Sequence, residues 1–400
     1  MTRRPDGAPL RVAILGSTGS IGRSTLEVIR RHPDRFEVVA LAAHRSLAEV
    51  AEQVRDFRPR RAVVADESAL GATDALPPAR WEAGRQALLS LASDPDVDVV
   101  VNALVGAVGL QPTLAALEAG KRLALANKES LVAGGPLVLD AARRGGGELV
   151  PVDSEHSAIL QCLAGSDHAC VARLVLTASG GPFRGWNSDA LEGVRPSDAL
   201  RHPTWEMGAK ITVDSATLAN KALEVIEAHF LYGIPYPAID VVVHPQSIVH
   251  SFVEFVDGSV LAQMGFPTME LPILYALSHP ARVEDHRLRT FDPVRSSPLT
   301  FEAVDQERFP LFGLGIAAGR SGGTAPAAFN AANEVAVEAF LKERIRFTAM
   351  REVVESALDD HPGTPVREVA DVLEADRVAR AAARVAIERI AGRKPTGASA

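Results

Sequence analysis

Cysteine is nearly absent from this sequence, which has only Cys162 and Cys170 among its 400 residues. The two do not form a CxxC motif, so nothing indicates a disulfide scaffold, and a reducing compartment is expected. Long apolar runs are missing too, because none approaches the roughly 18 residues that a membrane helix needs. The first residues, MTRRPDGAPL, contain no apolar stretch of signal-peptide length. We therefore expect a cytoplasmic protein with no membrane partner.

An excess of positive charge is also missing. The formal net charge is −8, which argues against nucleic acid as the main partner because binding to phosphate backbones needs a cationic surface. An anionic substrate would therefore need a local cationic site. The residues are 47% hydrophobic and 23% charged, an ordinary globular mixture in a chain long enough for two or three domains.

The first third of the chain has the pattern of a dinucleotide-binding unit. A short apolar strand, Arg11–Leu15, is followed by the glycine loop GSTGSIG at Gly16–Gly22 and by a predicted helix at Arg23–Arg31. Glycines let the backbone approach a pyrophosphate, and the helix N-terminus offers free N–H groups to it. The alternative is a plain glycine turn between strand and helix.

The end of the second predicted strand, Phe36–Ala42, bears on the choice of cofactor. NAD-binding units usually place an acid there on the ribose hydroxyl, whereas this sequence has His44, Arg45 and Ser46. A basic residue suits the 2′-phosphate of NADP, although Arg45 could equally be a solvated loop residue.

Strands and helices continue to alternate, which predicts a mostly parallel sheet with covered faces. Further strands are predicted at Ala62–Ala65, at Val97–Asn102 and in the run KRLALAN. Lys128 follows that last strand, at the sheet edge where ligands bind. It is therefore a site candidate, with a surface pair between Lys128 and Glu129 as the alternative.

Asp153 and Glu155 stand two residues apart in the stretch PVDSEHS. In extended backbone such residues point to the same side. Two adjacent carboxylates favour a hard divalent cation such as Mg²⁺ or Mn²⁺ between them. The alternative is a solvated acidic turn that caps a helix beginning near His156.

Downstream, a strand at Leu174–Ser179 ends in a serine followed by glycines, a pattern that can hold an anion. The polar, turn-rich segment from Arg184 to Thr204 leads into HPTWEMG, where Trp205 lies close to His202. Such a loop could act as a lid over a substrate. The alternative is an aromatic side chain packed on the core.

Within the stretch Ile211–Glu227, Asp214 or Ser215 could cap a helix that follows them and that carries Asn220, Lys221 and Glu224. Apolar residues occur nearly all round it, which predicts that the helix is largely buried.

Asn220, Lys221 and Glu224 can share one face of this helix. An intrahelical salt bridge is one interpretation. A buried Lys and Glu, however, need partners beyond each other. A cation shared with Asp153 and Glu155 would satisfy Glu224, and a substrate phosphate would satisfy Lys221.

Several motifs occur together in the order found in one enzyme family. GSTGSIG, ANKES, PVDSEHSAI, TASGGPF, HPTWEMGAKITVDSATLANKALEVIEA and HPQSIVHS make the chain, from Arg11 to about Met350, resemble the 1-deoxy-D-xylulose 5-phosphate reductoisomerases. The resemblance implies binding of NADPH and of a divalent cation (Mn²⁺, Mg²⁺ or Co²⁺). It also implies isomerisation and reduction of 1-deoxyxylulose 5-phosphate, a small phosphorylated sugar, to 2-C-methylerythritol 4-phosphate, an isoprenoid precursor.

The resemblance also assigns roles to residues. Three match metal ligands: Asp153, Glu155 and Glu224. Four match phosphate binders: Ser179, Ser215, Asn220 and Lys221. Four match substrate contacts: Lys128, Ser154, Glu155 and His202. Two more, Trp205 and Met207, match residues of a flap over the substrate. The expected catalytic set is Lys128, Asp153, Glu155, His202 and Glu224. The expected cofactor contacts are Thr18, Gly19, Ser20, Ile21, Ala126, Asn127, Glu129 and Gly208, with His44, Arg45 and Ser46 at the adenosine end.

Two positions depart from the family pattern. The family often has Gly-Lys/Arg-Asn where this chain has His44, Arg45 and Ser46. Ala222 stands where glycine is common, which should merely favour the helix. The metal and phosphate positions are unaffected.

The predicted fold class is α/β, with an N-terminal Rossmann-like parallel sheet, a central α+β catalytic domain and a C-terminal helical bundle. The predicted parts are an NADPH-binding domain at 1–150, a catalytic and dimerisation domain at 151–279, a linker at 280–305, a helical domain at 306–391 and a disordered tail at 392–400. Strands after His244 could pair between subunits, and the resemblance likewise implies a homodimer.

Two rival functions remain from the same domain plan. A semialdehyde dehydrogenase would need a cysteine nucleophile, but Cys162 lies in a helix-like run and Cys170 has no activating pattern. A non-catalytic NADP sensor would not need Asp153, Glu155 and Glu224 together, and metal-dependent turnover would exclude it.

Overall fold

The computed structural model describes residues 4, 6–70, 76–205, 207–288, 291–359 and 361–392. The chain divides into two compact units. The first comprises 1–131, 135–164 and 268–292, and the second 132–134, 165–267 and 293–400. Among the helices of the described residues, none is long and apolar enough to cross a membrane.

The first unit is built on a parallel sheet of seven strands within the described residues, in the order β4-β3-β2-β1-β5-β6-β7. The strands are β1 (Leu10–Leu15), β2 (Phe36–Ala43), β3 (Arg61–Val64), β4 (Arg80–Ala83), β5 (Val99–Asn102), β6 (Arg122–Leu125) and β7 (Glu148–Pro151). The helices are α1 (Ser20–Arg31), α2 (Leu47–Phe57), α3 (Arg85–Ala92), α4 (Leu110–Glu118), α5 (Lys128–Gly145), α6 (Ser154–Cys162) and α11 (Glu270–Ser278). The predicted Rossmann-like parallel sheet is confirmed.

The central strands of this sheet are buried on both faces. Val12 and Ala13 on β1, and Val99 and Val100 on β5, lie on opposite faces and are at most 1% exposed. Helices cover both faces of a parallel sheet, so these strands are continuous apolar runs rather than alternating ones. Full burial of one such side chain contributes about 1.5–3 kcal/mol.

Glycine is required at two points where β1 passes into α1. Gly16 has a φ of +88°, and a Cβ there would lie 2.5 Å from the carbonyl oxygen of Ala103. A Cβ on Gly22 would lie 2.3 Å from the oxygen of Gly16. The glycine loop therefore packs against both the helix and the segment after β5. The helix begins at Ser20, three residues before the predicted start.

The return segment 268–292 belongs with the first unit, a difference from the predicted boundary at 279 and linker at 280–305. Asp285, whose side chain is 4% exposed, accepts a hydrogen bond from Arg31 Nε at 2.8 Å and contacts His32 Nε2 at 3.2 Å. Arg31 also pairs with Glu270 at 2.8 Å. A buried ion-pair cluster thus fixes the segment to the end of α1. The functional division of the chain stays a prediction.

The second unit contains a mixed sheet of five strands within the described residues, in the order β11-β10-β8-β9-β12. Only β8 and β9 pair in parallel. The strands are β8 (Val171–Ala178), β9 (Ile239–Val243), β10 (Val249–Phe255), β11 (Val260–Met264) and β12 (Glu302–Ala303). The helices are α7 (Ser188–Leu191), α8 (Pro196–Ala199), α9 (Ala209–Thr217), α10 (Ala219–Tyr232), α12 (Pro310–Ser321), α13 (Ala325–Leu341), α14 (Met350–Asp359) and α15 (Val369–Gly392).

One helix was predicted to follow Asp214 or Ser215, whereas the stretch 211–227 contains parts of two helices, α9 and α10. Leu218 joins them with a φ of +59°, a conformation that ends α9 because it cannot continue a right-handed helix. The predicted cap at Asp214 or Ser215 is therefore wrong, since both residues lie inside α9. Leu218 is 3% exposed, so core packing compensates for its strained backbone.

The predicted helical C-terminus is confirmed in α12 to α15. Ala328 and Ala331 on α13 and Ala379 on α15 are fully buried together, and such small side chains let helices approach closely. Gly392 is the last residue of α15. The tail predicted to be disordered at 392–400 otherwise lies outside the described residues.

Candidate active site

The glycine loop and the start of α1 form a site suited to a pyrophosphate. Gly19 is the N-cap and supplies no side-chain cap, and the first turn of α1 contains no acidic residue. The free N–H groups and the helix dipole therefore both favour an anion. Gly19 and Ser20 are exposed, and Thr18 and Ile21 are half-buried. The structure thus brings all four predicted contacts together at one helix end.

Arg45 lies at the carboxyl edge of the sheet, beyond β2, between the exposed His44 and Ser46. Its Nε donates to Asp66, which follows β3. Hydrogen bonds from Ser68 and Arg45 lower the pKa of Asp66 to about 2. Asp66 was not identified from the sequence as a partner of Arg45, although its position directly after a predicted strand was a usable signal. An acid does therefore lie near this edge, and it is engaged by Arg45.

Asn127 is the fully buried N-cap of α5. Its side-chain oxygen accepts from the N–H of Ser130 at 3.1 Å, and its side-chain nitrogen donates to Glu129 at 3.0 Å. These bonds fix the polar end of β6 beside the half-buried Ala126. The two predicted cofactor contacts Asn127 and Glu129 are thus hydrogen-bonded to each other.

Lys128 and Asp153 form an ion pair in the first unit, with side chains 8% and 16% exposed. Asp153 is the N-cap of α6 but makes no side-chain cap bond. Glu155 lies in the first turn of that helix, so the expectation of extended backbone here is wrong, because the chain turns directly after β7. Ser154 donates to Glu155 at 2.6 Å. Two carboxylates, a hydroxyl and an ammonium therefore gather at one helix N-terminus, and the pair that Lys128 forms here is with Asp153.

His202 and Ser179 form the polar centre of the second unit. His202 Nδ1 accepts from the N–H groups of Thr204 at 3.1 Å and Trp205 at 2.9 Å. The neutral ring must therefore carry its proton on Nε2 and donate to Ser179 Oγ, 3.0 Å away. Burial lowers the pKa of His202 to about 4. Ser179 Oγ also accepts from the N–H of Gly181 at 3.3 Å, which leaves its own hydroxyl proton for a ligand.

Ser215 lies against this same loop. A Cβ on Gly181 would be 2.7 Å from the carbonyl oxygen of Ser215, so glycine permits the close approach of α9. Asn220 and Lys221 occupy the first turn of α10, which contains no acidic residue. A hydroxyl-lined loop and a helix N-terminus with an ammonium group suit a phosphate dianion.

Glu224 is a nearly inaccessible carboxylate, with a side chain 1% exposed. It accepts from Asn220 Nδ2 at 2.5 Å and pairs with Lys221, whose side chain is 5% exposed. A buried carboxylate stays charged only if such partners offset its desolvation. The predicted shared face of these three residues is present, and their burial excludes a solvated helix surface.

Asp214 is a buried carboxylate whose role the sequence did not reveal. It accepts from Asn333 Nδ2 on α13 at 2.7 Å and pairs with Lys210 at 2.9 Å. Because Ser215 is the next residue, this contact fixes the end of α9 that carries Ser215 to the C-terminal helices. The partner comes from a residue 119 positions away, so no local pattern could have predicted it.

The segment predicted to be a lid precedes α9. Trp205 and Met207 are half-buried, and Gly208 is the N-cap of α9. Glu206 lies outside the described residues. The two short helices α7 and α8 occupy part of the upstream stretch that was predicted to be a turn-rich loop. The cysteines required by the dehydrogenase alternative are buried in α6 (Cys162) and exposed in a single 3-10 turn (Cys170).

Comparison with known families gives one consistent result. The chain matches the family described as 1-deoxy-D-xylulose 5-phosphate reductoisomerase over residues 12–135, its C-terminal domain over 149–232, and a second C-terminal domain of DXP reductoisomerase over 264–382.

Curated relatives and solved structures carry the same name. The 1-deoxy-D-xylulose 5-phosphate reductoisomerase of Heliobacterium modesticaldum is 52% identical, covering 95% of this chain and 97% of the relative. That of Cupriavidus necator is 51% identical over 96% of this chain and 100% of its own length. The Zymomonas mobilis enzyme in complex with NADPH is similar with a TM-score of 0.88 and 43% identity, covering 95% and 99% of the two chains. A reductoisomerase in complex with NADPH, fosmidomycin and magnesium gives 0.90 and 40%, covering 95% and 98%.

The hydrogen bonds of His202 predict its titration. Protonation would place a hydrogen on Nδ1, facing two backbone N–H donors, so a folded-state midpoint of about 4 is expected in a nuclear magnetic resonance titration of labelled histidines. Since this lies below the unfolded value of about 6.5, the contribution to stability is complete above pH 6.5 and is lost as the pH falls through the folded midpoint.

The His202→Asn variant assigns the resonance and should lack this transition. A His202 midpoint at or above 6.5 would show that the ring is not held as the neutral acceptor of these two N–H groups.

Proposed function

This chain belongs to the 1-deoxy-D-xylulose 5-phosphate reductoisomerase family, and from that membership we propose which of its residues carry the reaction. The enzyme isomerises and reduces 1-deoxy-D-xylulose 5-phosphate to 2-C-methyl-D-erythritol 4-phosphate, a step of isoprenoid precursor synthesis. It is an NADP-dependent oxidoreductase that uses NADPH and a divalent cation.

Asp153, Glu155 and Glu224 are the proposed ligands of one divalent cation. The observation that carries this proposal is the burial of Glu224, a carboxylate kept charged by Lys221 and Asn220. An all-oxygen donor set fits Mg²⁺ or Mn²⁺. The cation, when bound, supplies Lewis acidity toward the substrate's oxygens.

The substrate phosphate is proposed to bind four groups of the second unit: Ser179, Ser215, Asn220 and Lys221. The free hydroxyl proton of Ser179 and the first turn of α10 support this assignment. Lys221 pairs with Glu224 without ligands, and it becomes available to a phosphate once a cation takes over Glu224. Binding of metal and of phosphate are then mutually supporting.

The rest of the substrate is proposed to contact Lys128, Ser154 and His202 under a lid that contains Trp205 and Met207. The buried ammonium of Lys128 pairs with Asp153, and it can donate a hydrogen bond to a substrate oxygen. His202 is neutral near pH 7, so it orients Ser179 without adding positive charge. Closure of the lid would exclude water from the reaction.

NADPH supplies the hydride, and the first unit is proposed to bind it. The pyrophosphate would lie at Thr18–Ile21, and Arg45 would bind the 2′-phosphate. Arg45 donates to Asp66 through Nε, and its terminal guanidinium nitrogens make no hydrogen bond within the described part of the chain. They can therefore form two parallel bonds to a phosphate.

Two copies of the chain are proposed to associate through β11, an edge strand of the second sheet. Its neighbourhood exposes large apolar side chains, among them Val256 at 70%, Val260 at 53% and Leu261 at 47%. Exposed apolar side chains along an unpaired strand edge favour a protein interface. Cytoplasmic location stays a prediction.

Two variants test the metal ligand and the phosphate ligand independently of each other. Glu224→Gln should weaken Mn²⁺ binding by at least about tenfold and nearly abolish turnover, because a ligand loses its charge. Lys221→Met should instead weaken binding of inorganic phosphate and of a phosphonate analogue. Both variants should bind NADPH as the wild type does, which is measured by calorimetric titration.

Glu227→Gln is the matched control, since Glu227 is also 1% exposed on α10. Equal Mn²⁺ affinity in the wild type and the Glu224 variant, or a loss in the Glu227 variant alone, would refute the ligand assignment.

Arg45→Ala should raise the KM for NADPH far more than that for NADH and leave kcat nearly unchanged, because the contact is remote from the nicotinamide. Charge-assisted bonds contribute roughly 1.5–3 kcal/mol each, so the NADPH/NADH ratio of kcat/KM should fall at least about tenfold. Arg60→Ala, another exposed arginine of this unit (59%), should leave the ratio unchanged. An unchanged ratio in the Arg45 variant would mean that another group binds the phosphate.

The proposed association predicts a light-scattering mass of twice the 42.4 kDa chain mass. Val260→Lys with Leu261→Lys should reduce it to the single-chain value, since two charges would be buried at the interface. A dimeric mass that persists in this variant would place the interface elsewhere.

A further inference from the structure

Two valines are exposed on one short loop of the first unit. Val105 is 72% and Val108 is 54% exposed. Single exposed apolar residues are normal and need no explanation. These two, however, lie three residues apart on one loop: Val108 is in the single 3-10 turn Ala107–Gly109, and Val105 directly precedes its N-cap, Gly106.

Buried amides hold this loop in a fixed conformation. Asn127 Nδ2 donates to the carbonyl oxygens of Leu104 at 2.9 Å and Gly106 at 3.0 Å, on either side of Val105. Asn102 Nδ2 donates to the oxygen of Gly109 at 3.0 Å. Both asparagines are fully buried. The loop therefore presents Val105 and Val108 to solvent on a rigid support.

The loop lies where a dinucleotide would extend. It follows β5 directly and begins at Ala103. A Cβ on Gly16 would lie only 2.5 Å from the carbonyl oxygen of Ala103, so the two loops are in close contact. The order of strands reverses between β1 and β5, and ligands of such sheets bind in the crevice at this reversal. With the pyrophosphate at α1 and the 2′-phosphate at Arg45 beyond β2, the nicotinamide half extends toward β5.

We propose that Val105 and Val108 form an apolar platform against one face of the nicotinamide ring. The inference rests on the proposed binding of NADPH to the first unit. A planar ring buries little polar surface on its face, and branched methyl groups fit it without competing hydrogen bonds. Contact with the platform removes water from that face and fixes the distance of the ring from the substrate side.

The test replaces both residues by threonine. Val105→Thr with Val108→Thr keeps the branched shape and adds only hydroxyl groups, and exposed positions of this kind rarely change stability by more than about 0.5 kcal/mol. Val385→Thr is the matched control, because Val385 is 71% exposed on α15. Thermal unfolding should be the same for all three proteins.

Binding of two ligands distinguishes an effect on the nicotinamide half of the cofactor from an effect on its adenosine half. NADPH should bind the double variant roughly tenfold more weakly than the wild type, with a smaller enhancement of its nicotinamide fluorescence. Adenosine 2′,5′-bisphosphate, which lacks nicotinamide, should bind both proteins equally. The Val385 control should match the wild type with both ligands.

Equal NADPH affinity in the double variant and the wild type would overturn the platform. Equal loss of affinity for both ligands would overturn it as well, since the valines would then act on the adenosine half. If the wild type itself failed to bind NADPH, the proposed cofactor site would be refuted, an outcome distinct from either of these.

Discussion

A buried carboxylate stays charged only when a positive group lies against it, and this constraint governs the catalytic parts of both units. Lys221 and Glu224 satisfy it within one turn of α10, and Lys128 and Asp153 satisfy it between two helix N-termini. Removing one partner of such a pair costs about 3–5 kcal/mol. The ammonium groups thus hold the acids ionised in the absence of ligands. In the proposed site, binding of a cation and of an anionic substrate makes the same ammonium groups available to the phosphate and to other substrate oxygens.

The carboxyl edge of the parallel sheet determines where the cofactor can lie. Gly16 and Gly22 let the loop after β1 pack against α1 and against Ala103. The amides of Asn102 and Asn127 then fix the loop after β5. Each of these contacts is local, but together they hold the loop after β1 and the loop after β5 on either side of a rigid crevice. Arg45, oriented by Asp66, stands at the adenosine side of that crevice.

The sequence predicted the parts that depend on local pattern. The parallel sheet followed from alternating apolar strands and helices, and the polar face of Asn220, Lys221 and Glu224 followed from their spacing. The break at Leu218 was not predictable, because a positive φ at a leucine is imposed by packing and not by propensity. Asp214 and Asp285 were missed because their partners, Asn333 and Arg31, are far away in sequence.

The central proposal is that one divalent cation binds Asp153, Glu155 and Glu224. Crystals grown with NADPH and Mn²⁺, measured at a wavelength where manganese scatters anomalously, test it directly. The account predicts one strong anomalous peak at about 2.0–2.2 Å from oxygens of Asp153, Glu155 and Glu224. A peak whose ligands exclude Glu224, or exclude Asp153 and Glu155, would contradict it.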